Sequence, residues 1–327
     1  MNKKEIIELL SLKDYTALIE KADETRKQYK GDGVHLRGLI EFSNICKRNC
    51  AYCGLQAQNK NIKRYRLNED EIIALGKKGA ELGYKTVVLQ SGEDDYFNRE
   101  RICKILKGLK EFDLAVTLSI GERLKDDYKA FKDFGADRYL LRIETTDENL
   151  YKKLHPNMDF KNRVKCLHIL KELGYETGTG SLVGLLGQTV SSLADDILFY
   201  KELNADMVGI GPFIPHPDTP LRGELNKENF DYAIKMMAIT RILMPDINIP
   251  ATTAMETINP KGRILALQSG ANVVMPNITT TEYRKHYEIY PNKICLNDSS
   301  DKCRNCIEGK IKSIGRYVSQ NKGFRND

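Results

Sequence analysis

Three cysteines near the start of the chain have a spacing that suits an iron–sulfur cluster. Cys46, Cys50 and Cys53 are separated by three and two residues, and Tyr52 directly precedes the last of them. A cubane [4Fe–4S] cluster takes cysteine thiolates as ligands, so three thiolates leave one of its four irons open to another molecule. A structural zinc site would need a fourth protein ligand, and no histidine or further cysteine lies nearby in the sequence. The ligand count therefore favours an oxygen-sensitive cluster with one vacant coordination position.

The elements that must position these cysteines alternate between strand and helix from about residue 36 onward. Short apolar or β-branched runs bounded by turn residues predict eight strands. Eight strands alternating with helices favour a complete (β/α)8 barrel of the TIM type over an open doubly wound sheet. The predicted strands cover 38–44, 86–91, 115–120, 138–143, 176–182, 207–211, 248–253 and 272–275.

Helices are predicted between these strands, and the residues at their ends support the boundaries. Asn68, with Glu71 three residues later, resembles a capping box at a helix start. Gly83, Gly135 and Gly174 stand where helices should stop. Apart from the helix that begins near Asn68, the predicted helices cover about 99–111, 124–134, 160–173, 190–203, 226–243 and 259–268.

The chain divides into three expected parts: an N-terminal helical extension over 1–35, the barrel over 36–290, and a cysteine-rich C-terminal segment over 291–327. No apolar run approaches the ~18 residues of a membrane span, and the N-terminus lacks the apolar core of a signal peptide. Clustered cysteines in such a chain indicate metal binding before disulfides, and we expect a cytoplasmic protein. The formal charge of +6 is spread along the chain, which favours a solvated surface over a nucleic-acid site.

Because the cysteine loop directly follows the first predicted strand, the sequence resembles the radical S-adenosylmethionine (SAM) enzymes. In that superfamily the open iron chelates the methionine part of SAM, and one electron then cleaves SAM to methionine and a 5′-deoxyadenosyl radical. The resemblance implies that Ser91-Gly92-Glu93 replaces a Gly-Gly-Glu turn that binds the methionine amino group. Glu144 would accept hydrogen bonds from the ribose hydroxyls, and Arg163 would pair with the methionine carboxylate. The alternative for the Ser91-Gly92-Glu93 segment is an ordinary turn, and the alternative for Glu144 and Arg163 is an ion pair at the barrel rim. The residues expected to contact SAM are Tyr52, Gln90, Ser91, Gly92, Glu93, Glu144, Arg163, Ser181 and Met275.

The resemblance extends to the HydE family, the radical SAM maturases of [FeFe]-hydrogenase. It covers the chain from about residue 35 to residue 306. One departure is Leu186, which stands where many relatives have proline and changes loop rigidity more than chemistry. The motifs with this resemblance lie at 40–44, 63–66, 88–94, 137–142, 207–220, 249–255 and 275–277.

A second cysteine group near the C-terminus fits the same resemblance. Cys295, Cys303 and Cys306 are separated by seven and two residues. HydE-like proteins can have an accessory iron–sulfur site with this spacing, and three thiolates could hold a [2Fe–2S] or a [4Fe–4S] centre completed by water or another ligand. An empty cysteine patch and an incidental metal site are the alternatives.

The resemblance also implies a substrate and partners. The substrate would be a small organometallic iron compound, a cysteine-bound iron carbonyl-cyanide complex, whose sulfur the radical attacks during assembly of the diiron subcluster. The partners would be an electron donor and two other maturation proteins, a radical SAM supplier and a GTPase scaffold. Thr252, Thr253 and Tyr283 lie at or beyond late strand ends and are expected to line the substrate cavity, whereas the proline-rich loop 212–220 either contacts an anionic substrate or caps the barrel.

Other functions remain open at this point. Biotin synthase shares the barrel and the cysteine spacing, but it needs strand-borne cysteines for a second cluster inside the barrel, whereas Cys103 and Cys166 lie in predicted helices. Methylornithine synthase is harder to exclude by spacing alone. A zinc-binding structural or nucleic-acid protein is the alternative from a different class.

Overall fold

The computed structural model describes residues 1–223 and 226–327, and its chain begins with two helices. α1 (Lys3–Leu10) starts at a complete capping box formed by Asn2 and Glu5. α2 (Thr16–Lys30) follows, and Gly31 ends it with a φ of +63°. These helices bury Ile6, Leu10 and Leu18 among others against the helical layer outside the barrel.

The sheet that follows is parallel and is ordered as the sequence predicts. β1 (Gly33–Ser43) is buried along its whole length, as expected for a strand covered on both faces. Parallel pairing runs from β1 through β2, β3, β4 and β5 to β7. Outside this path, β6 pairs with β8 where the chain extends beyond β5 and β7. The bounds are β2 Thr86–Ser91, β3 Ala115–Ser119, β4 Arg138–Leu140, β5 Glu176–Thr179, β6 Leu182–Val183, β7 Met207–Val208, β8 Gly211–Pro212, β9 Val273–Val274 and β10 Tyr317–Val318.

The predicted α/β barrel is confirmed, but its regular sheet is a partial barrel. β9 pairs with β1, whereas the predicted strand 248–253 is reduced to isolated bridges, from Asn248 to Met207 and from Pro250 to Val273. Proline has no N–H to donate to a ladder, and a helix already begins at Thr253. The expectation of a complete (β/α)8 barrel is therefore corrected at its seventh strand.

The helices lie between the strands, and the predicted helix ends are confirmed. Asn68 and Glu71 form a capping box at the start of α3, and Gly83, Gly135 and Gly174 all have positive φ values after helix ends. The bounds are α3 Glu69–Glu81, α4 Arg99–Lys110, α5 Lys125–Asp133, α6 Glu148–Leu154, α7 Phe160–Glu172, α8 Val190–Glu202, α9 Asn229–Leu243, α10 Thr253–Ile258, α11 Gly262–Gln268, α12 Thr281–Arg284 and α13 Ser300–Ser313. Within the described residues, no helix has the length and apolar character needed to cross a bilayer.

The last residues of the chain close the N-terminal end of the barrel. The carbonyl of Lys322 accepts hydrogen bonds from Thr86 Oγ1 (2.8 Å) and Arg138 Nη2 (3.0 Å). The carbonyl of Gly323 accepts from Arg37 Nη2 (3.0 Å) and from Asn248 Nδ2. Arg37 and Arg138 are almost completely buried, so the backbone of the tail provides partners for charges that have no access to water.

Deletion of residues 319–327 should destabilise the protein. Each buried polar group that loses its partner costs about 1–3 kcal/mol, so we expect the free energy of unfolding, measured in urea, to fall by roughly 3 kcal/mol or more. Lys322→Ala is the control, because it keeps the carbonyl and removes only an exposed ion pair with Asp113, worth less than about 1 kcal/mol. A truncated protein that unfolds at the same urea concentration as the full chain would contradict this role for the tail.

Candidate functional site

The cysteine loop lies directly beyond the C-terminal end of β1, at the rim where parallel barrels place their active sites. It is held by backbone hydrogen bonds: Lys47 N donates to Glu93 O at 2.9 Å, and Cys53 N donates to Cys50 O at 3.1 Å. The amide of Arg48 points at Cys46 Sγ, with 3.4 Å between nitrogen and sulfur. The loop is therefore tied to the turn after β2 and presents its thiols from one short segment.

The three thiols share a water-poor environment that disfavours their ionisation. Burial raises the pKa of Cys46, of Cys50 and, to about 12, of Cys53. Charge repulsion among the neighbouring sulfurs raises the pKa of Cys50 and Cys53 further. The free thiols therefore stay protonated near neutral pH, and binding a metal centre would have to release their protons.

The donor set suits an iron–sulfur cluster, because three soft sulfur donors come from one loop. Across residues 1–223 and 226–327, no three Cys, His, Asp or Glu side chains converge as the ligands of one metal ion would. A cubane does not require such convergence, since its three thiolates bind three different irons. The arrangement therefore remains compatible with the predicted cluster.

A network of buried ion pairs surrounds the cysteine loop. Arg48 contacts Glu93 (2.5 Å) and Glu122 (3.5 Å). Glu122 also accepts a hydrogen bond from Arg163 Nε at 2.7 Å, and Arg163 Nη1 donates to the carbonyl of Arg142. We call Arg48, Glu93, Glu122, Arg142, Glu144 and Arg163 the rim network. It joins the cysteine loop to the turns after β2, β3 and β4 and to α7.

Arg163 is thus engaged inside the protein. Burial lowers its pKa, but Tyr151 and Glu122 raise it by a larger amount, so the net shift is upward and the guanidinium stays charged. Its charge also acts on Cys50 and Glu144, whose pKa values it lowers. Two of its donors are already used, which leaves part of the guanidinium for a bound carboxylate.

Glu144 and Arg142 are the residues of the rim network with buried polar atoms that lack a hydrogen-bond partner among the described residues. Glu144 is buried, has a φ of +66°, and lies 3.2 Å from Arg142 Nη2. That contact lacks hydrogen-bond geometry, and Glu144 Oε2 has no hydrogen-bond partner among the described residues. Burial raises the pKa of Glu144, while Arg142, Arg163 and Tyr52 oppose the rise. A buried carboxylate oxygen without a donor is suited to accept a hydroxyl of a bound ligand.

Tyr52, directly before Cys53 in the sequence, contacts a histidine that the sequence analysis did not identify. Tyr52 Oη lies 3.0 Å from His155 Nε2, and His155 Nδ1 lies 3.0 Å from the carbonyl of Tyr151. Burial lowers the pKa of His155 to about 3, so the ring is neutral. Nδ1 must then carry the proton, and Tyr52 donates to Nε2. No local motif marks His155, which becomes relevant only because α6 packs against the cysteine loop.

Gly92, in the turn predicted to bind SAM, and Gly180, directly after β5, stand where a side chain would collide with the protein. A Cβ on Gly92 would lie 2.3 Å from Ile45 O and 2.7 Å from Cys46 Cβ, and one on Gly180 would lie 2.0 Å from Gly209 O. The close approach at both positions therefore comes from the protein backbone. Beside Gly92, the hydroxyl of Ser91 donates to the Gly92 carbonyl at 2.7 Å, and Gln90 is partly buried at the end of β2.

Ser181 lies at the same rim, beside a buried carboxylate. Its backbone bridges to Glu144, and its hydroxyl accepts from Tyr200 at 2.6 Å. Asp196 Oδ1 accepts from both the amide and the hydroxyl of Thr146 at 2.7 Å. Burial raises the pKa of Asp196 to about 7, although the hydrogen bonds oppose the rise. Asp196 therefore fixes the turn that contains Glu144.

The remaining predicted residues fall into two groups. Thr252, Thr253 and Met275 are partly buried at or near the ends of the late strands; the Thr252 hydroxyl has no partner among the described residues, whereas Thr253 accepts from Arg263 at 3.0 Å. Tyr283 instead packs on Tyr65, with 4.9 Å between ring centroids. Its described contacts do not bring it to the cysteine loop.

The second cysteine group brings two thiols into contact. Cys295 and Cys303 are close enough to affect each other's ionisation: Cys303 and Arg263 lower the pKa of Cys295, and Cys295 raises the pKa of Cys303. Cys303 and Cys306 lie one turn apart on α13, and Cys306 is exposed. Arg284 holds the Cys295 loop through the carbonyl of Cys295 at 3.1 Å.

Two surface cavities lie outside this cysteine site. One of about 660 Å³ lies between α7 and α8. The other, of about 480 Å³, lies between the segment 56–61 and the loop 217–222. The three predicted cluster cysteines line neither cavity, although the smaller one is adjacent in sequence to Cys53.

Comparisons with known proteins agree with this geometry. The family model "Radical SAM superfamily" matches residues 40–200, and "Biotin and Thiamin Synthesis associated domain" matches 210–294. The [FeFe] hydrogenase maturase subunit HydE of Thermotoga maritima is 50% identical over 99% of this chain and 98% of its own. A 3-methylornithine synthase of Methanosarcina acetivorans is 33% identical over 82% of this chain and 76% of its own. The crystal structure of methylornithine synthase (PylB) superposes with a TM-score of 0.84 at 26% identity, over 97% of this chain and 94% of that chain.

Glu122→Gln should weaken the protein by removing one charge from the rim network. Glutamine keeps the shape of the side chain but leaves Arg163 and Arg48 undercompensated, and breaking a buried pair costs roughly 3 kcal/mol. Urea unfolding should show a loss of that size. Glu172→Gln, at an exposed pair with Lys125, is the control and should change stability by less than about 1 kcal/mol; equal losses in both variants would contradict the network's role.

The stability of Asp196→Asn relative to the parent protein should be greater at alkaline pH than at acidic pH. The pKa of Asp196 is about 7 in the folded protein, against a reference value of 3.8 for the unfolded chain. The folded state therefore binds this proton more tightly than the unfolded state. The stability that the protonated carboxyl contributes is lost as the pH rises from about 4 to about 7. Asparagine cannot ionise, so its stability relative to the parent should increase by about 2–3 kcal/mol between pH 5 and pH 8. Urea unfolding across that range measures the difference, with Asp195→Asn as the exposed control; a flat difference for Asp196→Asn would refute the assignment.

Proposed function

Since this chain belongs to the HydE family of radical SAM hydrogenase maturases, we propose that it cleaves SAM reductively to process a sulfur-bound iron carbonyl-cyanide precursor of the diiron subcluster. Membership of the family implies a [4Fe–4S] cluster and SAM. The observation that carries the proposal is the meeting, at one rim, of three partly buried cysteines and a carboxylate oxygen of Glu144 that has no hydrogen-bond partner among the described residues.

In this proposal the residues of the rim divide the work. Cys46, Cys50 and Cys53 would hold the cluster, and Glu144 Oε2 would accept a hydrogen bond from a ribose hydroxyl of SAM. When bound, cluster and SAM supply the electron and the 5′-deoxyadenosyl radical that attacks the substrate's sulfur. The tail that closes the barrel base helps to exclude water, which would otherwise compete inside the site. The proposed contacts to SAM are Tyr52, Gln90, Ser91, Gly92, Glu93, Glu144, Arg163, Ser181 and Met275.

Arg163 is proposed to bind the carboxylate of SAM, because only some of its hydrogen-bond donors are used within the protein. Its Nε and Nη1 donate within the protein, and its charge acts on both Cys50 and Glu144. A carboxylate bound between these residues would add an acceptor for its other donors, and would balance the positive charge. Thr252, Thr253 and Tyr283 remain proposed cavity residues, of which Thr252 has the better support because its hydroxyl lacks a partner.

We also propose an accessory iron–sulfur centre on Cys295, Cys303 and Cys306. What supports it is the contact between Cys295 and Cys303, with Arg263 near enough to favour a thiolate. The position of Cys306 one helical turn after Cys303 places the third sulfur on the same side of α13. Either [2Fe–2S] or [4Fe–4S] is compatible with three thiolates.

The proposed partners follow from the maturase assignment. They are an electron donor, a radical SAM enzyme that supplies the iron substrate, and a GTPase scaffold that receives the product, all in the cytoplasm. A second function, methylornithine synthase, is favoured by the TM-score of 0.84 and by the 33% identity to such an enzyme. The longer match at 50% identity supports the maturase over it.

Replacing Cys50 with alanine should abolish SAM cleavage. Two remaining thiolates cannot hold the cluster as three do, so iron and sulfide content should fall by one cluster and release of 5′-deoxyadenosine under anaerobic dithionite should drop at least 100-fold. Cys103→Ala, a buried core cysteine in α4, is the matched control and should retain both. The same iron count on Cys303→Ser tests the accessory centre separately, since only the iron of that second centre should disappear.

The substrate is tested by anaerobic turnover with a synthetic cysteine-bound iron carbonyl-cyanide complex. The proposal expects consumption of the complex in step with 5′-deoxyadenosine release. Lysine, the substrate of the alternative function, should leave that release at its substrate-free level. Consumption of lysine with the iron complex untouched would reassign the protein, and undiminished 5′-deoxyadenosine release by Cys50→Ala would overturn the radical SAM chemistry altogether.

A further inference from the structure

The smaller cavity lies on the outer side of the cysteine loop and has no role in the proposed chemistry. Its volume is about 480 Å³, and its walls are the segment 56–61 and the loop 217–222. Together with the last turn of α6, which adjoins it, we call this surface the outer cluster face. Ala51 joins the parts, because its amide donates to Leu154 O at 2.8 Å and its carbonyl accepts from Leu221 N at 3.4 Å.

The floor of this cavity is connected directly to a cluster cysteine. Gln56 N donates to Cys53 O at 3.1 Å, and Gln56 Nε2 donates to the carbonyl of Asp218 at 3.0 Å. Arg64 Nη2 fixes the segment by donating to the carbonyls of Gln56 (2.6 Å) and Asn59 (3.0 Å). The face is therefore a rigid part of the wall around the cluster, only three residues from one of its ligands.

The charge of the outer cluster face is mainly positive. Lys60, Arg222, Lys152 and Lys153 are exposed, and none of the four forms a salt bridge within residues 1–223 and 226–327. The adjacent carboxylate of Asp218 accepts a hydrogen bond from Asn61 at 2.8 Å. In contrast, Arg48 in the cysteine loop forms ion pairs with Glu93 and Glu122.

The chemistry of the face fits a brief encounter with an acidic protein. The cavity is lined by amide, hydroxyl, proline and charged side chains, and none of the large hydrophobic side chains that the described structure exposes lines it. Electron-transfer encounters are small and polar, and opposite charge raises their association rates by about 10- to 1,000-fold. A stable, largely apolar interface would need a different surface.

We propose that the outer cluster face is the docking surface for a small acidic electron-carrier protein. The inference rests on the proposed function, since it presumes the cluster on Cys46, Cys50 and Cys53. The carrier loses one electron and the cluster gains it, going from the 2+ to the 1+ state, and no bond is made or broken. The face places the carrier beside the segment that follows Cys53.

The test measures reduction of the anaerobic holoprotein by a pre-reduced, acidic bacterial ferredoxin. Lys60→Glu/Arg222→Glu should slow the second-order reduction rate about tenfold or more at low salt, and should weaken ferredoxin binding measured by biolayer interferometry to a similar extent. Raising the salt concentration should slow the parent protein but have little effect on the variant, because screening removes only the attraction that the parent has. Lys152→Glu/Lys153→Glu tests the α6 part of the same face.

Lys77→Glu/Lys107→Glu is the matched control, because it changes the same number of charges at exposed positions near the far ends of α3 and α4. It should retain the parent's rate and binding. Dithionite, which needs no docking surface, should reduce every variant to the same electron paramagnetic resonance signal. If dithionite fails with the parent, the proposed function fails; if dithionite succeeds but ferredoxin does not reduce the parent, or reduces the face variants and the parent equally fast, the docking surface is refuted.

Discussion

Burial of charge at one rim of the barrel is the constraint on which the site depends. Isolated ions are expensive to remove from water, so buried charges must be paired and hydrogen-bonded. The rim network meets this demand by alternating carboxylates and guanidiniums: Glu93 and Glu122 share Arg48, and Glu122 also holds Arg163. Its members come from separate turns, and only the parallel barrel brings those turns together. The same pairs that stabilise the rim therefore also fix the cysteine loop.

The network is incomplete in one place, and that place is where a ligand is expected. Glu144 is close enough to Arg142 for attraction but keeps an oxygen without a donor, at a cost of about 1–3 kcal/mol. Its positive φ adds local strain. In the proposed function a bound ligand would supply the missing donor, beside the partly buried thiols of the cysteine loop.

How far the sequence predicted this structure depends on the range of the interactions. The capping box at Asn68 and most strands are local patterns, and the structure confirms them. The cysteine spacing is also local; the family implies the cluster that it predicts, and the residues that hold the cluster stay a prediction. The seventh strand was predicted too long because Pro250 interrupts pairing there. The pairing of Glu122 with Arg163 spans 41 residues, and His155 reaches the site only through packing of α6, so no local signal could reveal either. The contact of Gly92 with SAM stays a prediction, and the close approach that the structure shows there comes from the carbonyl of Ile45.

The closed barrel base has a consequence for traffic through the protein. Because the backbone of Lys322 and Gly323 covers the end of the barrel opposite the cysteines, a molecule bound at the cysteine rim has no direct route through that end. Its approach would then be from the side of the cysteine loop.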